Sequence, residues 1–145
     1  MGLGDATILS STKSLAQDFP NLTIGECRRG LADLLEKCGQ HGKDLSTESC
    51  KGLINLVLSI ATPRITSQDS ALQWPCFQLL MFAARAGRCD EDSTILTDLH
   101  NFFFKLAKKE VKTQPCWKPR VMILFLQHTF RWMQCAGMSK VVKDS

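Results

Sequence analysis

The sequence predicts an all-α domain of about six helices in three antiparallel pairs, with the character of an α-α superhelix or helical bundle. Three observations carry this. Apolar residues recur at three- and four-residue spacing through most of the chain. Caps and breakers such as Thr23, Ser46, Pro63, Gly87, Pro119 and Gly137 cut it into helix-length segments. Two segments, Cys76 to Ala84 and Val121 to Ala136, are strongly apolar, the second through an unbroken run to Leu126 and then Phe130, Trp132, Met133, Cys135 and Ala136. A helix apolar on nearly every side needs neighbours on nearly every side.

Taken in order, residues 5–17 form a first helix with Ile8, Leu9 and Leu15 inward, ended by Phe19-Pro20. Thr23 and Glu26 make a capping box for the second, residues 23–39, in which Ile24, Cys27, Leu31, Leu34, Leu35 and Cys38 lie on one stripe. Gly39 is the expected stop. Ser46 or Thr47 caps a third helix over residues 48–61. Its β-branched content would also suit a strand over 53–61, but the length, the caps and the Leu53/Val57/Ile60 spacing favour helix. Asp69 is placed to cap a fourth helix reaching Ala86. Pro75 either kinks that helix or marks its true start at Trp74-Pro75. Acidic Asp90, Glu91 and Asp92 precede a fifth helix over residues 94–109, where negative charge suits a helix N-terminus. The sixth starts at Pro119, is expected to end at Gly137, and leaves a polar tail over residues 139–145. Its apolar run, Val121 to Leu126, makes it the expected central helix.

A length of 145 residues suits one domain with a sizeable core, and 44% hydrophobic with 22% charged residues is an ordinary globular balance. No apolar run approaches the roughly 18 residues of a membrane span, and the N-terminus lacks a secretory layout. The seven cysteines are odd in number and contain no CxxC, so they are expected to be reduced, packed thiols of a cytoplasmic or nuclear protein. The net charge of +4 hides an asymmetry. Residues 1–100 hold 9 Lys and Arg against 12 Asp and Glu, whereas residues 101–145 hold 9 against 2. Such a concentration speaks to partners rather than to fold.

A shift of 46 residues lays Leu53 to Ala61 on Leu99 to Ala107 with Leu, Asn and Ala coinciding, and Trp74-Pro75 stands 44 residues before Lys118-Pro119. A unit of this length, pairing an amphipathic helix with an apolar one, resembles the α-α repeats of the HEAT and armadillo type. The units would be residues 5–39, 46–87 and 93–137. The resemblance implies stacked helical pairs with an exposed groove, and a scaffold that holds peptides, helical proteins or nucleic acid.

No motif names a chemistry. Cys38, His41 and Cys50 lack the paired spacing of a structural zinc site. His128 with Asp98 or Asp92 and a cysteine would need assembly in space, and no nucleophile elbow, phosphate loop or HExxH is present. No catalytic, cofactor or metal site is therefore expected. The expected function is a non-catalytic interaction module of an intracellular assembly. It would bind an acidic or helical protein through Lys105, Lys108, Lys109, Lys112, Trp117, Lys118 and Arg120. The alternative is a nucleic-acid-binding helical domain that uses the basic cluster from Lys105 to Arg131.

Overall fold

The computed structural model describes residues 3–41, 45–61, 64, 72–87, 94–108 and 118–144, without the side chains of 3, 41, 87, 106, 107 and 135–144. Among the described residues the chain is all-helical, with no strand. Its six α-helices are α1 (Leu3–Asp18), α2 (Ile24–His41), α3 (Thr47–Asn55), α4 (Gln73–Gly87), α5 (Ile95–Ala107) and α6 (Pro119–Asp144).

The first two helices are joined by a single 3₁₀ turn, Phe19–Asn21, with Phe19 buried beneath it. Here the Pro20 ring fixes the turn and removes a donor that α1 would otherwise need. Thr23 and Glu26 form the predicted capping box. The Thr23 N–H donates to Glu26 Oε1 at 3.0 Å, and the Glu26 N–H donates to Thr23 Oγ1 at 3.2 Å. From there α2 buries Cys27, Leu31, Leu34 and Cys38 and leaves Arg28, Arg29, Asp33 and Glu36 exposed. It continues past Gly39 to His41. Contacts Ser11–Lys37 (2.9 Å), Leu15–Gly30 and Phe19–Cys27 run in opposite directions along the two chains, so α1 and α2 are antiparallel. The two helices are close at Gly30, where a β-carbon would lie 2.6 Å from Leu15 Cδ1 and push that side-chain end aside.

A buried carboxylate on α1 governs where α3 begins. Asp5 Oδ1 accepts the Ser46 N–H at 2.8 Å, while Ser46 Oγ accepts the Ser49 N–H at 3.2 Å as the helix N-cap. α3 then passes into a π-helix, Leu56–Ala61, which settles the segment as helix rather than strand. Leu56, Val57 and Ala61 are all fully buried, and the wider π turn lets these neighbours face inward together. This also breaks the internal echo, because the matching residues on α5 are α-helical.

Pro75 lies in the first turn of α4 and causes no mid-helix kink. The helix starts where the Trp74-Pro75 reading placed it. Cys76, Phe77, Leu79, Leu80, Ala83 and Ala84 are buried, and α4 packs against α2, α3, α5 and α6. α4 is the central helix. The same expectation for α6 is corrected: among the described elements α6 packs mainly on α5 and α4, and it leaves Ile123 54% and Phe130 53% exposed. Successive helical residues turn by about 100°, so an unbroken apolar run samples every direction whether or not each side has a neighbour. Among the described side chains of α6, residues 119–134, only Val121, Phe125 and Thr129, spaced by four, are buried. The expected stop at Gly137 and the polar tail 139–145 are corrected too, since α6 runs on to Asp144. A helical glycine costs about 1 kcal/mol but stops a helix only where the chain turns left-handed. The Asp69 cap, the Thr62-Pro63 break and the Asp90 to Asp92 run lie outside the described residues.

Burial pushes the Asp5 carboxyl up, but hydrogen bonds from Ser46 and Ser49 outweigh it and hold the group below its ordinary value of 3.8. A carboxyl depressed in the folded state stabilises above the unfolded value and loses that contribution as pH falls through the folded one. Asp5→Ala, by orphaning the Ser46 N–H, should cost about 1–2 kcal/mol in urea unfolding at pH 7. The difference from the parent should shrink as pH drops below 3.8. Burial likewise raises the Cys38 and Cys50 thiols to about 11 and Cys76 to about 12. Iodoacetamide at pH 8 should therefore label these three far more slowly in the native protein than in denaturant, read by peptide mass mapping.

Candidate interaction surface

α5 opens with Thr94, whose carbonyl accepts the Asp98 N–H and whose hydroxyl donates to Asp98 Oδ2 at 2.8 Å. Ile95, Leu96, Leu99 and Phe103 form its buried stripe. α6 opens at Pro119, and the Lys118 carbonyl accepts from Val121 and Met122. The Lys118 N–H donates across to the buried Gln73 side chain at 3.0 Å, which fastens the start of α6 beside the start of α4. Phe125 then packs at 4.3 Å from Phe103 and edge-on to Phe77 at 6.1 Å, ring centroid to centroid. One turn earlier on α5, His100 Nδ1 meets Thr129 Oγ1 at 2.7 Å, one turn later on α6. The two helices are therefore antiparallel.

This register decides where the charges go. Lys105 and Lys108, at the end of α5, gather with Lys118 and Arg120, at the start of α6, and all four are exposed. α4 carries no Asp or Glu, α6 carries none before Asp144, and the one on α5, Asp98, is in its first turn at the opposite end. Lys105 and Lys108 suit the negative pole of α5. Lys118 and Arg120 do not suit α6, because cations at a helix N-terminus oppose the dipole by about 0.3–1 kcal/mol each. Their placement is not explained by the stability of their own helix. Of the remaining predicted residues, Lys109, Lys112 and Trp117 lie outside the described residues. Arg131 is exposed on α6 but eleven residues from Arg120, about 16 Å along the helix, so the Lys105-to-Arg131 cluster is not one patch.

Exposed aromatic residues complete this surface. Trp74, next to Gln73, is 51% exposed and stacks on Phe77 at 5.3 Å. Phe104 is 44% exposed, with Lys108 Nζ 4.4 Å from its ring centre. The signal for Ile123 and Phe130 was present in their seven-residue spacing, which sets both off the Val121/Phe125/Thr129 line. Trp132, by contrast, is half-buried against the core.

Asp92 and the side chain of His41 lie outside the described residues, and the other candidate groups are placed apart. His100 is bonded to Thr129 and Asp98 to Thr94, and His128 is exposed with its ring 6.1 Å from Trp132. Among the described residues no three His, Cys, Asp or Glu side chains gather as metal ligands, and no helix is long and apolar enough to cross a membrane. An open groove of about 440 Å³ lies between α3 with its π extension and α5, floored by Ile54, Leu58, Leu99 and Phe102 and edged by Lys51 and Asp98. Comparison of the chain with family models, curated proteins and solved structures found no match.

The Thr129 hydroxyl donates to the Phe125 carbonyl at 2.9 Å, so its oxygen accepts from His100 and the ring proton sits on Nδ1. Burial holds the His100 pKa below its ordinary 6.5. In ¹⁵N-edited NMR, His100 should show an unprotonated Nε2 at pH 7 and a titration midpoint below 6.5. Thr129→Val should raise the Nε2-H tautomer population by removing the acceptor.

Proposed function

We propose that the chain is a non-catalytic protein-interaction module of an intracellular assembly, and that its basic C-terminal half binds an acidic or helical partner. The observation that carries this reading is the gathering of Lys105, Lys108, Lys118 and Arg120 at one end of the α5–α6 pair, beside exposed Trp74 and Phe104. Two of these cations act against their own helix dipole, and exposed aromatics beside cations are the composition of a binding surface. Antiparallel α1–α2 and α5–α6 pairs about a central α4 also fit a stacked scaffold of the HEAT or armadillo kind. A second reading, nucleic acid, is favoured by Trp74, whose exposed ring follows the Gln73 that holds Lys118 and suits base stacking.

Glutamate-rich helical peptides and random-sequence single- and double-stranded oligonucleotides, titrated from about 50 to 300 mM salt, separate the two. The protein reading expects peptide binding that falls by about tenfold or more with Lys118→Glu plus Arg120→Glu. Micromolar oligonucleotide affinity with a steep salt slope, and no peptide binding, would replace it with the second.

A further inference from the structure

Three of the four large hydrophobic side chains exposed among the described residues, Phe104, Ile123 and Phe130, belong to α5 and α6. They are not scattered. Ile123 and Phe130 are two helical turns apart on one side of α6, and Phe104 is one turn from His100 on the facing side of α5. The His100 ring lies 6.3 Å from Phe104, almost parallel at 13°, and 6.3 Å from Phe130 at 32°. Phe104, His100 and Phe130 thus make one aromatic row along the shallow groove where the outer sides of α5 and α6 meet, and Lys108 prolongs it, its Nζ 4.4 Å from the Phe104 ring centre. The row is framed by Lys108 at one end and by Arg120 and Arg131 along the outside of α6.

We propose that this groove seats one amphipathic, acidic α-helix of a partner protein, with its apolar stripe on Phe104, Ile123 and Phe130 and its carboxylates toward Lys108, Arg120 and Arg131. The inference rests on the reading above and names its partner and its seat. A surface that carries aromatic rings and, two turns along α6 from Phe130, an aliphatic residue fits side chains at i, i+3, i+4 and i+7 of a helix. The interval from Arg120 to Arg131, about 16 Å, matches about three turns. Charge complementarity selects the occupant. A second copy of this chain laid on the same face would bring like charges together, whereas a helix with acidic flanks meets opposite ones. A nucleic acid would leave Ile123 without an apolar partner. His100 adds a polar reader to the row, because its proton is held toward Thr129 and its Nε2 is an acceptor.

The test is selection from a yeast-displayed library of random 20-residue peptides on the full chain. The expected winners are acidic and heptad-patterned, and become helical by circular dichroism on binding. Their affinity should fall about tenfold or more with Phe130→Ser and with Ile123→Ser, and about threefold or more with Lys108→Glu. Both hydrophobic positions are more than half exposed, so thermal melts should match the parent. If one variant melts early, the other carries the reading. Acidic peptides that ignore both serine variants but are lost with Lys118→Glu would overturn the groove and leave the interaction module standing. Winners without acidic residues would overturn the groove's occupant, and a selection that enriches nothing would overturn both.

Discussion

The structure depends on the burial of one side of the chain's middle, the stretch from Cys76 to Ala84. Six of those nine residues are buried, and α2, α3, α5 and α6 each rest on the helix that carries them. At roughly 1.5–3 kcal/mol for each large aliphatic or aromatic side chain removed from water, Phe77, Leu79 and Leu80 supply a driving force no outer helix could replace. The small residues matter as much. Ala83 and Ala84 near its end bring neighbouring backbones close, and Cys76 fills its site as an inert hydrophobe whose thiol stays protonated.

Apolar contact is non-directional, so something else must fix how each helix is rotated and shifted. In this chain single polar pins do so. Asp5 joins α1 to the start of α3, Arg64 donates to the carbonyls of Phe19 and Leu22 and to the Cys27 sulfur, Gln73 holds the start of α6, and His100 holds its middle through Thr129. Each pin is partly or wholly buried, where an unmade hydrogen bond costs about 1–3 kcal/mol, so a slipped register is penalised at every junction. Two of them, Gln73 and His100, set the antiparallel register that gathers the cations at one end and lines up the aromatic row.

This separation explains what could be read from the sequence. The second helix was legible almost to the residue, because its start is local chemistry, Thr23 with Glu26, and its buried stripe is a simple period. The central position of α4 was legible for the opposite reason, since nearly every residue in its run is apolar. The same logic misplaced α6. Apolar composition measures what a helix would gain from neighbours, not whether they exist, and Ile123 and Phe130 face water although Val121 and Phe125 do not. The basic residues were legible as a list, but their grouping depended on the α5–α6 register, which rests on a histidine and a threonine 29 residues apart. Trp74 was hidden by its neighbour Pro75, which drew attention to the backbone rather than to the ring.

Several places where local rules and the observed structure disagree coincide in space. Lys118 and Arg120 are charges of the wrong sign for a helix N-terminus, Ile123 and Phe130 are apolar residues on a wet face, and the His100 acceptor sits between two rings. Most of the other described residues obey those rules, the π-helix after α3 and the passage of α2 through Gly39 apart: the caps at Thr23 and Ser46 are satisfied, buried hydroxyls at Thr12 and Thr129 donate to the carbonyl four residues back, and the exposed face of α2 is charged. A sequence under selection for stability alone has no reason to gather these exceptions on one pair of helices. On the proposed reading, each becomes favourable once an acidic, apolar surface covers it.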